Sequence, residues 1–236
     1  MKSKLLILTV AAIGLLASCG KETAYTYAEL GFLPISNGPV LVYADQTVDT
    51  VTVVATNSWE LKANNSWITL DPAYSSRTQS GARTISTKCP ILFEANRSGQ
   101  VRYGSLQLSD GDNTVGRAYL QTFWLDIIEP AISIKHTKAS SSYSIYDFDD
   151  ISSISFQKTV PADSLTASVI FSIYAPSATL STTASWIEPQ SQEFRKGTHY
   201  VALSLQPNIT GNRREATLTL TTSTGISNDI TLIQDK

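Results

Sequence analysis

The sequence has few of the residues on which most catalytic and metal sites depend. Its 236 residues include two histidines, two cysteines and one methionine. Neither His136 nor His199 belongs to a Ser-His-Asp order, and no nucleophile elbow, P-loop or dinucleotide-binding glycine motif occurs. His199 is interpreted as a solvated strand residue. The sequence therefore predicts a protein that is not an enzyme and that uses neither a metal nor a cofactor.

Charge is also scarce, and its two signs nearly balance. Charged residues make up 16% of the chain, and 18 basic against 20 acidic residues give a net charge of −2. A surface that binds nucleic acid needs clustered lysine and arginine, and no such stripe is present. Nucleic acid is therefore excluded as a partner. The polarity comes mainly from Ser, Thr, Asn and Gln, which is typical of a hydrated β surface.

Long hydrophobic runs are absent after the N-terminus. The apolar run Leu5–Leu16 is shorter than the roughly 20 residues that span a bilayer, and it follows two lysines, so residues 1–18 are predicted to be a signal peptide. The sequence Leu-Ala-Ser-Cys-Gly that ends at Gly20 resembles the bacterial lipobox. That resemblance implies a lipid on Cys19 that anchors the protein in the cell envelope, as an outer-membrane lipoprotein facing the periplasm or the cell surface. Cys89 would then have no disulfide partner.

One phrase is present twice. It reads NRSGQVRYGSLQLS at Asn96–Ser109 and NITGNRREATLTLT at Asn208–Thr221. A second match aligns Val51–Trp67 with Ile170–Trp186 without a gap, and both segments end in Ser-Trp-Ile. Seven extra residues in the first copy are expected in a loop around residues 74–83. The repeat predicts two copies of one domain, each with its Ser-Trp-Ile tryptophan in the core.

Short runs of Val, Ile, Thr and Tyr alternate with Asn, Gly, Asp and Pro throughout both copies, which predicts strands joined by turns. In the repeated phrase, Asn and Gly tolerate positive φ and reverse the chain. Every second residue after the turn then faces the core, with the arginine at the rim. In the preceding strand Cys89 takes the inward position that Val201 takes in the second copy, so it is interpreted as a buried, inert cysteine.

The shared motifs resemble those of the BACON domain, an immunoglobulin-like β-sandwich of Bacteroidetes surface and periplasmic proteins. They are Trp59, the Ser-Trp-Ile triplets, Asn-x-x-Gly-x-x-Arg and the closing apolar-Gln pairs at Gln121 and Gln234. The second copy departs from the pattern by having Ala178 in place of the first tryptophan. The resemblance implies an all-β fold of two tandem immunoglobulin-like sandwiches, with a role in carbohydrate association or as a spacer.

The predicted organisation has four parts. Residues 1–18 form the lipoprotein signal peptide, and residues 19–38 form a tether and a first extended segment. Residues 39–125 form the first BACON-like sandwich. Residues 126–236 form the second, with a linker or extra strand at 126–153.

Glycan binding commonly uses aromatic rings flanked by carboxylates and amides. The best such cluster outside the repeat consists of Tyr143, Tyr146, Asp147, Phe148, Asp149 and Asp150. The alternative is that these rings pack the junction between the domains, which needs apolar cover. The acidic run does not have the spacing of a calcium-binding EF-hand loop, so it is interpreted as solvated.

Two short sites resemble the Asp-Ser/Thr-apolar sites that Bacteroidetes O-glycosylate on exported proteins. They contain Thr50 and Ser164, each directly after an aspartate, and both are expected just before the same strand of their copy. The alternative is an Asx-type turn, which these residues also favour.

These observations together predict a non-catalytic, lipid-anchored protein that binds a glycan or a protein partner at the bacterial surface. The alternative is a structural spacer, or a pilin-like assembly subunit, with no ligand pocket.

Overall fold

The structure, a computed structural model, describes residues 30–36, 38–137, 148 and 150–236 and consists of two β-sheets. The first sheet contains β1 (Leu30–Leu33), β2 (Val40–Val42), β3 (Val48–Ala63), β4 (Ile68–Leu70), β5 (Ser76–Phe93), β6 (Arg102–Ser109) and β7 (Thr114–Gln121). The second contains β8 (Asp126–Glu129), β9 (Ile132–His136), β10 (Ile151–Val160), β11 (Thr166–Ser181), β12 (Ile187–Glu188), β13 (Ser191–Leu205), β14 (Arg214–Thr222) and β15 (Ser227–Gln234).

The two sheets repeat the same strand pairings. β3 pairs with β5 along one edge, and with β1 and then β6 along the other. β11 makes the equivalent pairings, with β13 along one edge and with β8 and then β14 along the other. A bulge at mid-strand bends each long strand, so that its two halves belong to the two layers of a sandwich. In both sheets one strand runs parallel to the last one, β2 to β7 and β10 to β15. The predicted fold, two tandem β-sandwiches, is confirmed.

The repeated phrase forms the turn and strand that the sequence predicts. Gly99 and Gly211 turn the chain with φ of 70° and 72°, a region that only glycine adopts freely. β6 and β14 follow these turns. Gly104 and the leucines are buried on β6, Ala216 and the leucines are buried on β14, and the alternate residues lie towards solvent. This alternation places one face of each strand in its core.

A polar network explains why the rest of the phrase is repeated. In the first domain the Arg102 guanidinium lies 4.7 Å from the Trp67 ring centroid, and its Nε donates to Oε1 of Gln121 at 2.8 Å. In the second domain Arg214 lies 4.3 Å from the Trp186 ring centroid, and its Nε donates to Oε1 of Gln234 at 3.0 Å. Both glutamines are fully buried. The arginine thus contacts an amide and an indole, and in the first domain Nη1 of Arg102 also lies 4.0 Å from Oε2 of Glu94.

The asparagine that opens each phrase fixes the turn to the last strand. Nδ2 of Asn96 donates to the carbonyls of Gln100 and Thr122, both at 2.8 Å. Nδ2 of Asn208 donates to the carbonyls of Asn212 and Asp235, both at 2.7 Å. Buried polar groups must be paired, so these bonds hold the turn and the chain's exit from the sandwich in one arrangement.

Gly104 lies where the Trp67 ring approaches the backbone most closely. A Cβ there would lie 2.5 Å from Cζ2 of Trp67 and 2.7 Å from Cδ1 of Ile68. Gly104→Ala is therefore expected to lower the free energy of unfolding of the first domain by about 1–3 kcal/mol through overpacking. The reverse change in the second domain, Ala216→Gly, introduces no clash and is expected to cost about 0.5–1 kcal/mol. Urea unfolding measures both, and a smaller loss for Gly104→Ala than for Ala216→Gly would contradict the close packing.

Three details of the sequence interpretation are wrong. The extra residues of the first copy do not form a loop at 74–83: a 3-10 helix (Pro72–Tyr74) is followed at once by β5. The gapless alignment fails in its first half, because Val51 pairs with Cys89 whereas Val169 pairs with Val201. β11 therefore has one more residue at its bulge. His199 is not simply solvated, since its ring lies 4.9 Å from that of Phe194, centroid to centroid, and its Nε2 donates to a backbone carbonyl.

Cys89 is buried, as predicted. Its side chain is fully enclosed in the first core, and burial raises the pKa of the thiol to about 11. Because the thiolate is the reactive form of cysteine, this thiol is inert at neutral pH.

Candidate functional site

The two sandwiches meet at a junction built from their repeated loops. The backbone passes from the first to the second sheet through Phe123, Trp124 and Leu125, and the Trp124 side chain is buried in the core of the second domain. The Tyr43 ring stacks on that of Tyr174 across the junction, with centroids 5.8 Å apart. The junction is therefore a packed interface and not a flexible linker.

Asp45 is the central polar residue of this junction. Its side chain is fully buried, and its Oδ2 accepts hydrogen bonds from the backbone N–H groups of Tyr174 and Ala175, at 2.9 and 3.0 Å. These two N–H groups belong to the β11 bulge, where they have left the regular ladder. Oδ1 of Asp45 is buried with no hydrogen-bond partner among the described residues. Burial raises the pKa of this carboxyl above its usual value, although the two N–H groups oppose the shift.

Further hydrogen bonds fix the relative position of the two domains. The Arg97 guanidinium donates to the carbonyl of Thr224 in the hairpin between β14 and β15. The backbone N–H of Leu125 donates to Oδ1 of Asn228 at 2.7 Å. Within the second domain, the Tyr174 hydroxyl donates to Oδ2 of Asp126, and burial followed by the Asp126 charge raises the pKa of Tyr174 to about 12.

Sequence analysis did not identify Asp45, although the sequence contains a signal for it. The strand that runs parallel to the last strand ends at a valine in both copies, and x-Ala-Asp follows, at Asp45 and at Asp163. Asp163, however, lies exposed at the far end of the second domain. The shared residue type marks the equivalence of the loops, and only the packing of one domain on the other gives Asp45 its role.

A pocket of about 320 Å³ opens beside this junction. It is lined by the β5–β6 turn, by the linker and by the start of the second domain, namely Gly99, Gln100, Val101, Phe123, Phe148 and Ile151–Ile154. Ligand pockets in proteins range from about 300 to 1,000 Å³, so this one is at the small end. Phe123, Phe148 and Gln100 line it together with Ser152 and Ser153, and the Ser152 hydroxyl donates to the carbonyl of Lys135 on β9.

The predicted aromatic and acidic cluster borders this pocket where it can be described. Tyr143, Tyr146, Asp147 and Asp149 lie outside the described residues. Phe148 lines the pocket, and its ring also lies 5.8 Å from that of Trp124, centroid to centroid. Asp150 faces the other way, with Oδ1 at 2.9 Å from Nδ1 of His136. Both interpretations of the cluster, junction packing and ligand binding, are therefore compatible with Phe148, since it packs at the junction and also lines the pocket.

The two predicted modification sites differ in their surroundings. Thr50 is exposed inside β3, which begins at Val48, so the expectation that it precedes the strand is wrong. Ser164 lies in the loop before β11, as expected, and its carbonyl accepts a hydrogen bond from Gln234. The backbone N–H of Thr50 donates to Oδ1 of Asp49 at 2.7 Å. Modification of either residue stays a prediction, and Cys19 lies outside the described residues.

The described residues also bear on metal binding and on membrane crossing. No group of three or more His, Cys, Asp or Glu residues is placed to hold a metal ion in this part of the chain. Within the same residues no helix is long and apolar enough to cross a membrane.

Comparison with known proteins gives one family and several distant structural likenesses. Among curated protein sequences none matches this chain. A xyloglucanase of Bacteroides ovatus, solved with a XXXG heptasaccharide, is 16% identical with a TM-score of 0.31, over 44% of this chain and 19% of its own. The chain thus spans about a fifth of that enzyme.

Two further structures are comparably distant. The SGBP-B protein of a Bacteroides ovatus mixed-linkage glucan utilization locus, solved with a mixed-linkage heptasaccharide, is 14% identical over 83% of this chain and 43% of its own, with a TM-score of 0.32. A Porphyromonas gingivalis W83 protein of unknown function is 9% identical over 89% of this chain and 100% of its own, with a TM-score of 0.29. Likenesses this distant assign no function to this chain.

The family comparison bears directly on the second domain. Residues 177–235 match the BACON family, described as "Putative binding domain, N-terminal". They run from mid-β11 to the end of β15 and include the second copy of the repeated phrase. The first domain contains the same strand pairings and the same buried network. The predicted resemblance to the BACON family is thereby confirmed for residues 177–235, which lie in the second domain.

Proposed function

We propose that this protein is a non-catalytic glycan-binding protein of the bacterial envelope, anchored through Cys19, which holds its ligand in the pocket between its two domains. The observation that carries the proposal is the lining of that pocket. Phe123 and Phe148 supply apolar ring faces, while Gln100 supplies an amide donor and acceptor. Sugars present both kinds of surface, since their C–H faces stack on rings and their hydroxyls bond to amides.

The family description supports a binding role. The contacts at the junction explain why the pocket would already be formed before a ligand binds. Asp45, Arg97 and the stacked tyrosines hold the two walls of the pocket in one relative position. A preformed site avoids the cost of ordering its walls when a ligand binds. Binding across a junction would also use both domains of the chain, which a single sandwich could not provide.

A glycan array with the protein from Gly20 to Lys236 tests the proposal, followed by titration with the best ligand. Gln100→Ala is expected to weaken binding about tenfold, because one hydrogen bond to a sugar hydroxyl contributes about 1.4 kcal/mol or less. Phe148→Ala and Tyr146→Ala test the ring faces, including the part of the predicted cluster that is not described. The matched control is Gln107→Ala, an exposed glutamine on β6 far from the pocket, which is expected to leave binding unchanged.

The second candidate function is a spacer, and the rigid junction is the observation that favours it. Two sandwiches fixed end to end hold whatever they carry at a constant distance from the membrane. A spacer predicts a silent array and no effect of Gln100→Ala on any ligand. Binding that is equal in Gln100→Ala, Phe148→Ala and the control would place the glycan elsewhere and overturn the pocket assignment.

A further inference from the structure

The first domain contains a second and larger groove, far from the junction pocket. It has a volume of about 700 Å³ and lies between β1 and β7, with a lining that is mostly apolar and includes Leu30, Phe32, Ile35, Val54 and Val115. β7 pairs with β2 only from Tyr119 to Gln121. Along the rest of that edge, residues 114–118 have no partner strand in the described part of the chain. The groove is thus bounded by the open edge of a strand.

In the second domain, β10 occupies the position equivalent to this open edge. Val42 and Val160 are equivalent, because each pairs with the closing glutamine of its domain. β10 continues the pairing back to Phe156, which lies opposite Ile230. The Phe156 side chain is 3% exposed and belongs to the core.

Counting back four residues from Val42 gives Gly38, which lines the groove and has no side chain. Among its described residues, the first domain therefore lacks a length of strand and an aromatic ring that the second domain contains.

A polar atom in the groove also lacks a partner. Arg117 is equivalent to Ile230, and its Nη1 donates to the carbonyl of Pro34 at 2.8 Å. Its Nε is buried with no hydrogen-bond partner among the described residues. Buried donors are normally paired, and the Tyr119 hydroxyl of the same strand interacts with this guanidinium, so Nε agrees with an added acceptor but does not require one.

We propose that the groove binds residues 20–29 of this same chain, with the rings of Tyr25 and Tyr27 in the place that Phe156 takes in the second domain. This segment leads directly into Leu30, which itself lines the groove. Tyr27 is three residue steps before Leu30, and three steps span at most about 10 Å, so the ring can reach the groove. In an extended segment Tyr25 and Tyr27 lie on one face, as two rings entering one groove must.

The direction of the chain agrees with this occupant. A segment that folds back along β1 runs antiparallel to it. Since β1 and β7 are themselves antiparallel through β3 and β6, that segment runs parallel to β7. β2 and β10 run parallel to their last strands in the same way. Docking would draw the lipid-bearing end against the first domain and shorten its reach from the membrane.

Nuclear magnetic resonance on the protein from Gly20 to Lys236 tests this proposal. With labelled valine methyls and tyrosine rings, we expect cross-peaks from the Tyr25 and Tyr27 rings to the methyls of Val54 and Val115. Tyr25→Ser with Tyr27→Ser should abolish them and speed amide exchange at residues 115–118 about tenfold. Thr23→Ser with Thr26→Ser is the matched control, because it changes the same segment and leaves the rings. Gly38→Phe should displace the segment by supplying the missing ring.

The source of the occupant is distinguished in a mixture of labelled and unlabelled protein. Cross-peaks within one molecule support the proposal, whereas cross-peaks only between molecules would show that a second copy fills the groove and would overturn it. Absence of both, with amide exchange unchanged in the tyrosine variant, would also overturn it. Since the tyrosines precede β1, an unchanged β-sheet circular dichroism spectrum confirms that the variants fold.

Discussion

Replacing Asn96 with alanine is expected to lower the free energy of unfolding of the first domain by about 3 kcal/mol, a large effect for one polar side chain. Asn96 is 1% exposed, and its side-chain amide both donates and accepts hydrogen bonds. Nδ2 donates to the carbonyls of Gln100 and Thr122, while Oδ1 accepts from the backbone N–H of Ser98 at 3.1 Å. Alanine would leave these backbone groups unpaired where water has little access, and each buried unpaired group costs about 1–3 kcal/mol.

The second domain provides a matched test of this reasoning. Asn208 makes the equivalent bonds, including one from the Thr210 N–H to its Oδ1, and is 7% exposed. Asn208→Ala is expected to destabilise the second domain by a similar or slightly smaller amount, since water reaches it a little more easily. Asn212→Ala, in the same turn but exposed, is the control and should change stability by less than about 0.5 kcal/mol.

Urea unfolding followed separately for each domain measures these changes. An effect of Asn96→Ala no larger than that of Asn212→Ala would mean that water replaces the lost bonds. The asparagine would then be favoured in the phrase only for its tolerance of tight turns.

The sequence identified the residues of this network but not which residue bonds to which. Asn96, Gly99, Arg102 and Gln121 are all visible as shared positions, because each domain needs the same residue types at the same turn and strand. The alternation of the following strand gave the buried face correctly, since period two is a local property of the backbone. That the arginine bonds to the glutamine depends on the pairing of β6 with β7, which places residues 19 apart side by side.

The candidate pocket could not be predicted in the same way. Its walls come from a turn of the first domain, the linker and the start of the second domain, so it exists only in the packed pair. An internal repeat shows which residues two domains have in common. The junction, in contrast, is formed by surfaces whose contacts differ between the two domains. Asp45 is buried at the junction while Asp163 is exposed, although both follow the same Val-x-Ala motif. Phe148 was identified only because it lies outside the repeat.

Asp45→Ala is expected to loosen the junction more than any other single change in it. The substitution removes the acceptor for two backbone N–H groups of the β11 bulge, at Tyr174 and Ala175. Two buried donors left unpaired cost about 2–5 kcal/mol together, partly offset by no longer burying a carboxylate. The amides of Tyr174 and Ala175 should therefore exchange with solvent at least about tenfold faster. Asp163→Ala is the control, since the equivalent carboxylate is exposed.

The isosteric variant Asp45→Asn separates the hydrogen bonds from the charge. Asparagine retains an acceptor oxygen, so amide exchange at Tyr174 and Ala175 should be much closer to that of the wild type than in Asp45→Ala. The charge should appear in the pH dependence, because the pKa of Asp45 is raised in the folded protein. An acid with a raised pKa binds more protons folded than unfolded, so its contribution to stability is greatest at low pH and declines as pH rises through the folded pKa.

Unfolding between about pH 4 and pH 8 should therefore show the wild type losing stability relative to Asp45→Asn as pH increases. The other acid near this site is Asp126, which bonds to the Tyr174 hydroxyl, and its charge adds to the raised pKa of Asp45 and so to the same pH dependence. A wild type that gains stability relative to Asp45→Asn over this range would mean that the two N–H groups outweigh burial and lower the pKa. Asp45 would then stabilise the junction as a charged acceptor, and that stabilisation would be complete above about pH 5, one unit above the ordinary pKa of an aspartate.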